Sequence, residues 1–131
     1  MKQLRFVFCG LTLCLLSSLA LLTGCSSSLV EVDSDTAQEA LVTVMESWKE
    51  GKAPDDLLDE RPSITVQETD WNDEIKLLEY HLFEDSRPAG PNLVARVKLK
   101  LSKQDGAVIE KTATYVIATS PKISVYRNLM K

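Results

Sequence analysis

The sequence predicts an α+β domain in which one N-terminal helix packs on a curled antiparallel sheet of four or five strands. Three observations predict this fold class. Apolar residues recur at helical spacing from Ala37 to Trp48. Apolar and mostly polar residues then alternate from Leu93 to Leu101, the pattern of a half-buried strand. Asp105-Gly106, a strong hairpin signal, connects that strand to a second segment rich in β-branched residues, 108–119.

The first 24 residues have the organisation of a secretory leader. Lys2 and Arg5 precede an apolar run from Phe6 to Leu22, which is the order of charged and apolar regions in a signal peptide. The alternative is an uncleaved membrane-spanning helix. Phe6–Thr23 is near the lower length limit for such a span, and no basic stop-transfer cluster follows it. Residues 1–24 are therefore predicted to be removed.

The end of the leader, Leu22-Thr23-Gly24-Cys25, resembles the lipobox of bacterial lipoproteins. That resemblance implies cleavage between Gly24 and Cys25, diacylglycerol on the Cys25 thiol and a fatty acid such as palmitate on the new amine. In Gram-negative bacteria, Ser26 in place of Asp after the cysteine implies sorting to the outer membrane. The expected location is the cell envelope, with the domain facing the periplasm and the membrane as partner through the lipid anchor.

The composition of the domain excludes several classes of partner and site. The leader contains two of the fifteen basic residues and none of the nineteen acidic ones, so residues 25–131 have a net charge of about −6. This balance argues against nucleic acid as a partner. Two of the three cysteines lie in the leader and Cys25 takes the lipid, so no thiol is left for a disulfide or a metal site. We expect a tether over 25–34 and a single domain over 35–131.

The helix is the clearest element. Thr36 and Glu39 fit a capping box at its start, and Gly51 supplies its stop. Ser34 and Asp35 are alternative caps. Core packing is favoured over a membrane-surface role, because the polar face of the helix is mainly acidic. The apolar stripe consists of Ala37, Ala40, Leu41, Val44, Met45 and Trp48.

The strands follow the helix in a run. A helical turn with Pro54 at its first position is predicted over 53–58. In the segment 75–83, side-chain parity places Leu78 on the same face as Tyr80 and Leu82. The predicted strands are 63–68, 75–83, 93–101, 108–119 and 123–126, with a break at 70–73 and a loop at 86–92.

Several motifs are spread over nearly the whole mature domain: Trp48-x-x-Gly51, Asp70-Trp71, Tyr80-x-Leu82, Val97-x-Leu99-x-Leu101, and Tyr115 followed by Thr119-x-Pro121. In these motifs the chain resembles the cystatin-like and NTF2-like superfamily, and it is similar to uncharacterised small bacterial lipoproteins. Most of the matching motifs are core and turn residues, so the resemblance implies a fold and no particular chemistry. The Gln-x-Val-x-Gly hairpin of cystatin inhibitors is missing, since Gln67 leads into Glu68-Thr69.

An NTF2-like resemblance implies a conical pocket between helix and sheet, where an enzyme would need an acid–base pair. The weak catalytic candidates are His81, Glu79 on the same face, and Asp70, and Tyr115 is a further residue that this pocket would contain. A solvent-exposed or structural role is favoured for each. One histidine without a usable cysteine makes a metal site improbable, and the acid-rich segment 50–74 lacks the glycine of a calcium loop. No metal or cofactor is expected.

Two surface features are candidates for contact with a partner. Arg96, Lys98 and Lys100 form a basic row on the outward face of one strand, suited to anionic lipid or an acidic partner. The favoured interpretation is that these charges prevent edge-to-edge association. Trp71 either fills the open end of the sheet, which is favoured, or anchors a contact.

The sequence thus predicts a lipid-anchored envelope protein whose domain is a non-catalytic binding or assembly module, with an envelope protein as the expected partner. The alternative is a small-ligand carrier or a pocket enzyme of the isomerase or hydrolase type.

Overall fold

The structure is a computed structural model that describes residues 30–130. The predicted leader and the lipobox, with Gly24 and Cys25, lie outside the described residues. Within residues 30–130, no helix is long and apolar enough to cross a membrane.

One helix packs on a strongly curled, mostly antiparallel sheet, as the sequence predicts. Two short helical turns and six strands complete the domain. In chain order the elements are α1 (Ser34–Lys49), a 3₁₀ helix (Pro54–Asp59), β1 (Ile64–Gln67), α2 (Thr69–Asn72), β2 (Lys76–Leu82), β3 (Arg87–Ala89), β4 (Asn92–Ser102), β5 (Val108–Ala118) and β6 (Ile123–Arg127).

Helix α1 begins earlier than the predicted capping box. Asp33 is its cap, because the Asp33 carboxylate accepts hydrogen bonds from Thr36 N at 3.2 Å and from Thr36 Oγ1 at 2.8 Å. Thr36 is thus a donor to the cap, and the predicted Thr36–Glu39 box is wrong. The predicted stop is confirmed, since Gly51 follows the helix with φ of +85°, a conformation that glycine adopts without steric cost. All six residues of the apolar stripe are buried.

The sheet has the strand order β1-β6-β5-β4-β2, and β3 pairs with β4 as a short addition. The β4–β5 hairpin forms its centre and turns at Gly106, where φ is +88°. Two features differ from the predicted run of antiparallel strands. Strand β1 pairs with β6 in parallel. The segment predicted as a loop contains β3, because residues 87–89 fold back on 92–94 around a turn at Gly90.

Strand β2 contains a bulge that changes the predicted faces. Leu77 lies opposite Leu101 and Glu79 lies opposite Lys100, so Leu78 is the extra residue. One extra residue shifts the alternation of the strand, so each later side chain points to the face opposite to the one that simple alternation predicts. The prediction that Leu78 shares a face with Tyr80 and Leu82 is therefore wrong. Leu77, Tyr80 and Leu82 are the more buried residues of the strand, and Leu78, Glu79 and His81 are exposed.

The core lies between the stripe of α1 and the inner face of the curled sheet. The longest strands contribute alternate residues to it, as their pattern predicts. From β4 these are Leu93, Ala95, Val97, Leu99 and Leu101, and from β5 they are Ala113, Tyr115 and Ile117.

Candidate functional site

A cluster of charged and polar side chains occupies one end of the inner face of the sheet. We call it the buried polar cluster, and its members are Glu68, Asp70, Lys111, Tyr115 and Arg127. Alternation explains why an acid turns inward here: β1 ends at Gln67, and Glu68 continues the face on which the inward residues of β1 lie. Tyr115 of β5 and Arg127 of β6 are direct partners in the sheet register.

Glu68 is the centre of the cluster and is only 1 % exposed. Its Oε1 accepts hydrogen bonds from Arg127 Nη1 at 2.8 Å and from the backbone N–H of Asp70 at 3.0 Å. Its Oε2 accepts a hydrogen bond from the hydroxyl of Tyr115. A buried carboxylate requires such partners, because an unpaired charge in the core is very costly. Within residues 30–130, no buried side-chain polar atom lacks a partner.

Asp70 extends the cluster towards the surface. Its Oδ2 accepts hydrogen bonds from Arg127 Nη1 at 2.7 Å and lies 2.5 Å from Lys111 Nζ. Arg127 therefore bridges both carboxylates, and two acids are balanced by two bases. The α2 turn positions Asp70, with the Glu68 side chain capping that turn.

Burial and charge shift the pKa values of the cluster in different directions. Burial raises the pKa of Glu68, and the hydrogen bond from Tyr115 and the charge of Arg127 offset only part of this effect. Burial also acts to raise the pKa of Asp70, but the hydrogen bonds from Lys111 and Arg127 prevail and lower it. Burial and the Glu68 carboxylate raise the pKa of Tyr115 far above its usual range. Tyr115 is therefore a fixed donor at neutral pH.

Arg127 stays charged in this setting. Burial acts to lower its pKa, but the hydrogen bond to Asp70 and the charge of Glu68 outweigh burial and raise it. With every acid engaged by a donor, the cluster holds no free base or nucleophile among its five residues. The cluster is a set of hydrogen bonds and ion pairs without net charge that joins β1, α2, β5 and β6.

Trp71 lies next to the cluster, on α2. It is 6 % exposed and stacks on Trp48 with ring centroids 5.7 Å apart. Each indole N–H donates to a backbone carbonyl at 2.8 Å, Trp48 to Ile75 and Trp71 to Lys52. The ring of Trp71 thus fills the end of the core. It is not presented to solvent as a contact anchor.

The structure does not bring the three predicted catalytic candidates together. Asp70 belongs to the buried polar cluster, whereas His81 and Glu79 lie on the outer face of β2, away from α1. His81 packs edge-on against Phe83, with ring centroids 5.8 Å apart. Glu79 lies opposite Lys100. A shallow groove of about 270 Å³ beside these two residues is lined by Glu79, Tyr80, His81, Lys98, Leu99, Lys100 and Glu110.

The predicted basic row is interrupted by acids. Arg96 lies 2.6 Å from Asp85, and Lys98 lies 3.5 Å from Glu110. Lys100 lies between acids in the register, opposite Glu110 on β5 and Glu79 on β2. Exposed ion pairs of this kind contribute little to stability. They do reduce the positive charge that the row offers to an anionic surface.

Sequence reasoning assigned no role to Glu68 and Arg127. The signal for Glu68 was present, since Ile64, Val66 and Glu68 share one parity. Arg127 has the parity of Val125, which faces the core. Residues 30–130 contain no group of three His, Cys, Asp or Glu side chains arranged to hold a metal ion.

No protein-family model, curated protein or solved structure matches this chain. The architecture, a helix on a curled sheet, is compatible with a cystatin-like or NTF2-like fold. A fold of this kind hosts many functions, so the function has to be argued from the residues.

Proposed function

We propose that this chain is a lipid-anchored protein of the bacterial cell envelope whose domain is a non-catalytic binding or assembly module. The anchor is Cys25, and the support for it is Leu22-Thr23-Gly24-Cys25 at the end of an apolar leader. Ser26 after the cysteine supports the outer membrane as the destination.

The observation that supports a non-catalytic domain is the filled inner face of the sheet. The stripe of α1 packs against the apolar residues of β4 and β5, and the polar groups at the end of this core are engaged with one another. A pocket enzyme needs an acid or base that can reach a substrate. Tyr115 and Glu68, the groups placed where a pocket would be, are both buried and bonded to each other.

The anchor is tested by the intact mass of the chain purified from cell membranes in mild detergent. We expect loss of residues 1–24 and the added mass of one diacylglyceryl group and one further acyl chain on Cys25. Cys25→Ala should remove the lipid, whereas Cys14→Ser in the leader is the matched control and should leave processing unchanged. A membrane-bound chain that retains its leader would refute the lipobox. Ser26→Asp should move the protein to the inner membrane fraction.

The domain's role is tested by native mass spectrometry of the same preparation. A complex with another envelope protein supports an assembly module, and cross-linking in intact cells identifies the partner. A small molecule that co-purifies with the chain, and is lost in Tyr115→Phe, would favour the carrier or enzyme instead.

That second function has one structural observation in its favour. The buried polar cluster reaches solvent at Lys111, whose side chain is 36 % exposed and pairs with Asp70 on the single turn α2. An activity dependent on Glu68 or Asp70 would establish it.

A further inference from the structure

The anchored end of the chain enters the domain at a defined place. The N–H of Val32 donates to the carbonyl of Gly90 at 3.3 Å, and the N–H of Asp33 donates to Thr119 Oγ1 at 3.4 Å. These contacts hold the start of α1 against the β3–β4 turn and the β5–β6 turn. We call the two turns, residues 87–91 and 119–122, the proximal end.

The opposite end of the domain is far from this entry point. Strand β5 runs over eleven residues from the turn at 103–107 to the proximal end, a length of about 35 Å. Gln104 Nε2 donates to the carbonyl of Asp73 at 3.1 Å, so the segment after α2 lies at the same end. We call residues 49–52, 69–74 and 103–107 the distal end.

The tether between Cys25 and the domain is shorter than the domain is long. Val32 is seven residues after Cys25, and an extended chain reaches at most about 3.5 Å per residue, or about 25 Å here. A lipid on Cys25 therefore keeps the proximal end next to the bilayer. The distal end can lie a further 35 Å away, roughly the length of β5.

The two turns place exposed bases at the surface that the tether keeps near the bilayer. The two turns of the proximal end contain two bases, Arg87 and Lys122, and no acid. Both side chains are exposed, and neither forms a salt bridge with any residue of 30–130. Glu31, Asp33 and Asp35 lie close by at the start of α1, and hydrogen bonds from Thr36 lower the pKa of Asp33, so this cap stays charged. The contact with headgroups is therefore assigned to the two turns and not to the net charge of this end. The segments of the distal end contain five acids and three bases.

We propose that the proximal end rests on anionic phospholipid headgroups through Arg87 and Lys122, so that the domain stands upright on the membrane. The inference rests on the proposed lipid anchor at Cys25. Each base close to an anionic surface favours the bound orientation by about fivefold. The upright domain presents its distal end to the envelope space, including a groove of about 550 Å³ between the end of α2 and the β4–β5 turn.

Because Cys25 is blocked by lipid, one introduced cysteine gives a single labelling site in the processed chain. We would label Ser120→Cys at the proximal end and, as its counterpart, Gln104→Cys at the distal end. The lipidated proteins are reconstituted in vesicles of phosphatidylcholine and phosphatidylglycerol that contain a headgroup acceptor dye. Energy transfer should be several-fold stronger from position 120 than from position 104. Equal transfer from both positions would overturn the orientation.

The role of the two bases is tested by charge reversal. Arg87→Glu with Lys122→Glu should reduce the difference between the two transfer values, as should vesicles of phosphatidylcholine alone, while the tether still keeps position 120 the nearer of the two. Lys52→Glu with Lys103→Glu makes the same change in net charge at the distal end and should preserve the difference. Circular dichroism checks that all variants are folded. Transfer unaffected by the proximal reversal would overturn the contact with headgroups.

Failure of the anchor and failure of the orientation give different results. A processed chain whose mass shows no lipid on Cys25 refutes the proposed function and this orientation with it. A lipidated chain that shows equal transfer from positions 120 and 104 refutes the orientation alone.

Discussion

Replacing Arg127 by Met should destabilise the domain strongly, because Arg127 joins both carboxylates of the buried polar cluster. Its Nη1 lies 2.8 Å from Glu68 Oε1 and 2.7 Å from Asp70 Oδ2. Methionine preserves most of the aliphatic contact but removes the charge and both hydrogen bonds. Arg127 is only 10 % exposed, so water has little access to replace it.

The expected loss follows from what each carboxylate retains. Removing one partner of a buried ion pair costs about 3–5 kcal/mol. Asp70 keeps Lys111 at 2.5 Å and Glu68 keeps Tyr115, which places the loss near 3 kcal/mol at the lower end of that range. For a domain of this size, that loss lowers the melting temperature by roughly 12–24 °C. It is a large share of the 5–15 kcal/mol that typically separates folded from unfolded states.

Thermal and urea unfolding, followed by circular dichroism, measure this loss in the processed protein. Arg87→Met is the matched control, since Arg87 is exposed and forms no ion pair with residues 30–130, and should change stability by less than about 0.5 kcal/mol. Glu68→Met combined with Arg127→Met should be more stable than Arg127→Met alone, because no unpaired carboxylate remains at position 68. If the stability of Arg127→Met matched that of its control, the buried polar cluster would not contribute to stability and the reasoning would be refuted.

Three further predictions concern pH, the core and one turn. Burial raises the pKa of Glu68 above its ordinary 4.5, so the native state holds this proton after the unfolded chain has released it, and the resulting stability is lost as pH rises through the raised pKa. Glu68→Gln should remove that downward slope in urea unfolding above pH 4.5, and an unchanged slope would contradict the shift. Leu99→Ala, at a residue with 0 % exposure, should cost about 2–5 kcal/mol in thermal unfolding. Leu129→Ala, at 71 % exposure, should cost less than about 0.5 kcal/mol, and equal losses would contradict the assigned core. Gly106→Ala meets no atom within 4 Å but has φ of +88°, so backbone strain alone should cost about 1 kcal/mol; Gly106→Asn should recover part of it, and a fully tolerated alanine would show that the turn does not need this conformation.

The elements that the sequence predicts well are those defined by local patterns. The stripe of α1 and the alternation of β4 follow from which side chains must leave water, and that requirement is written into residue spacing. Gly51 and Gly106 mark turns because their backbone adopts positive φ. Neighbouring residues contain this information, so no knowledge of distant contacts is needed.

The bulge in β2 depends on a distant partner. Leu77 and Leu78 are both leucines, and alternation alone allows either one to face the core. The choice is made by β4, where Leu101 pairs with Leu77 while Lys100 pairs with Glu79. Lys100 faces outward and Leu101 faces inward, so their partners Glu79 and Leu77 also lie on opposite faces. Leu78 is the extra residue between these two partners. That constraint lies more than twenty residues away in the chain.

The buried polar cluster combines a local signal with a non-local one. Parity places Glu68 inward, and an inward carboxylate must find a base or a donor. The parallel pairing of β1 with β6 decides which base it finds, because Gln67 lies opposite Tyr126 and the next residues along the strands are Glu68 and Arg127. A slip of one residue in β1 would turn Glu68 outward together with Ile64 and Val66, and it would leave the inward Arg127 without this partner. The ion pair of Glu68 with Arg127, which sequence reasoning missed, therefore acts together with the inward apolar residues of β1 against a one-residue slip of that strand.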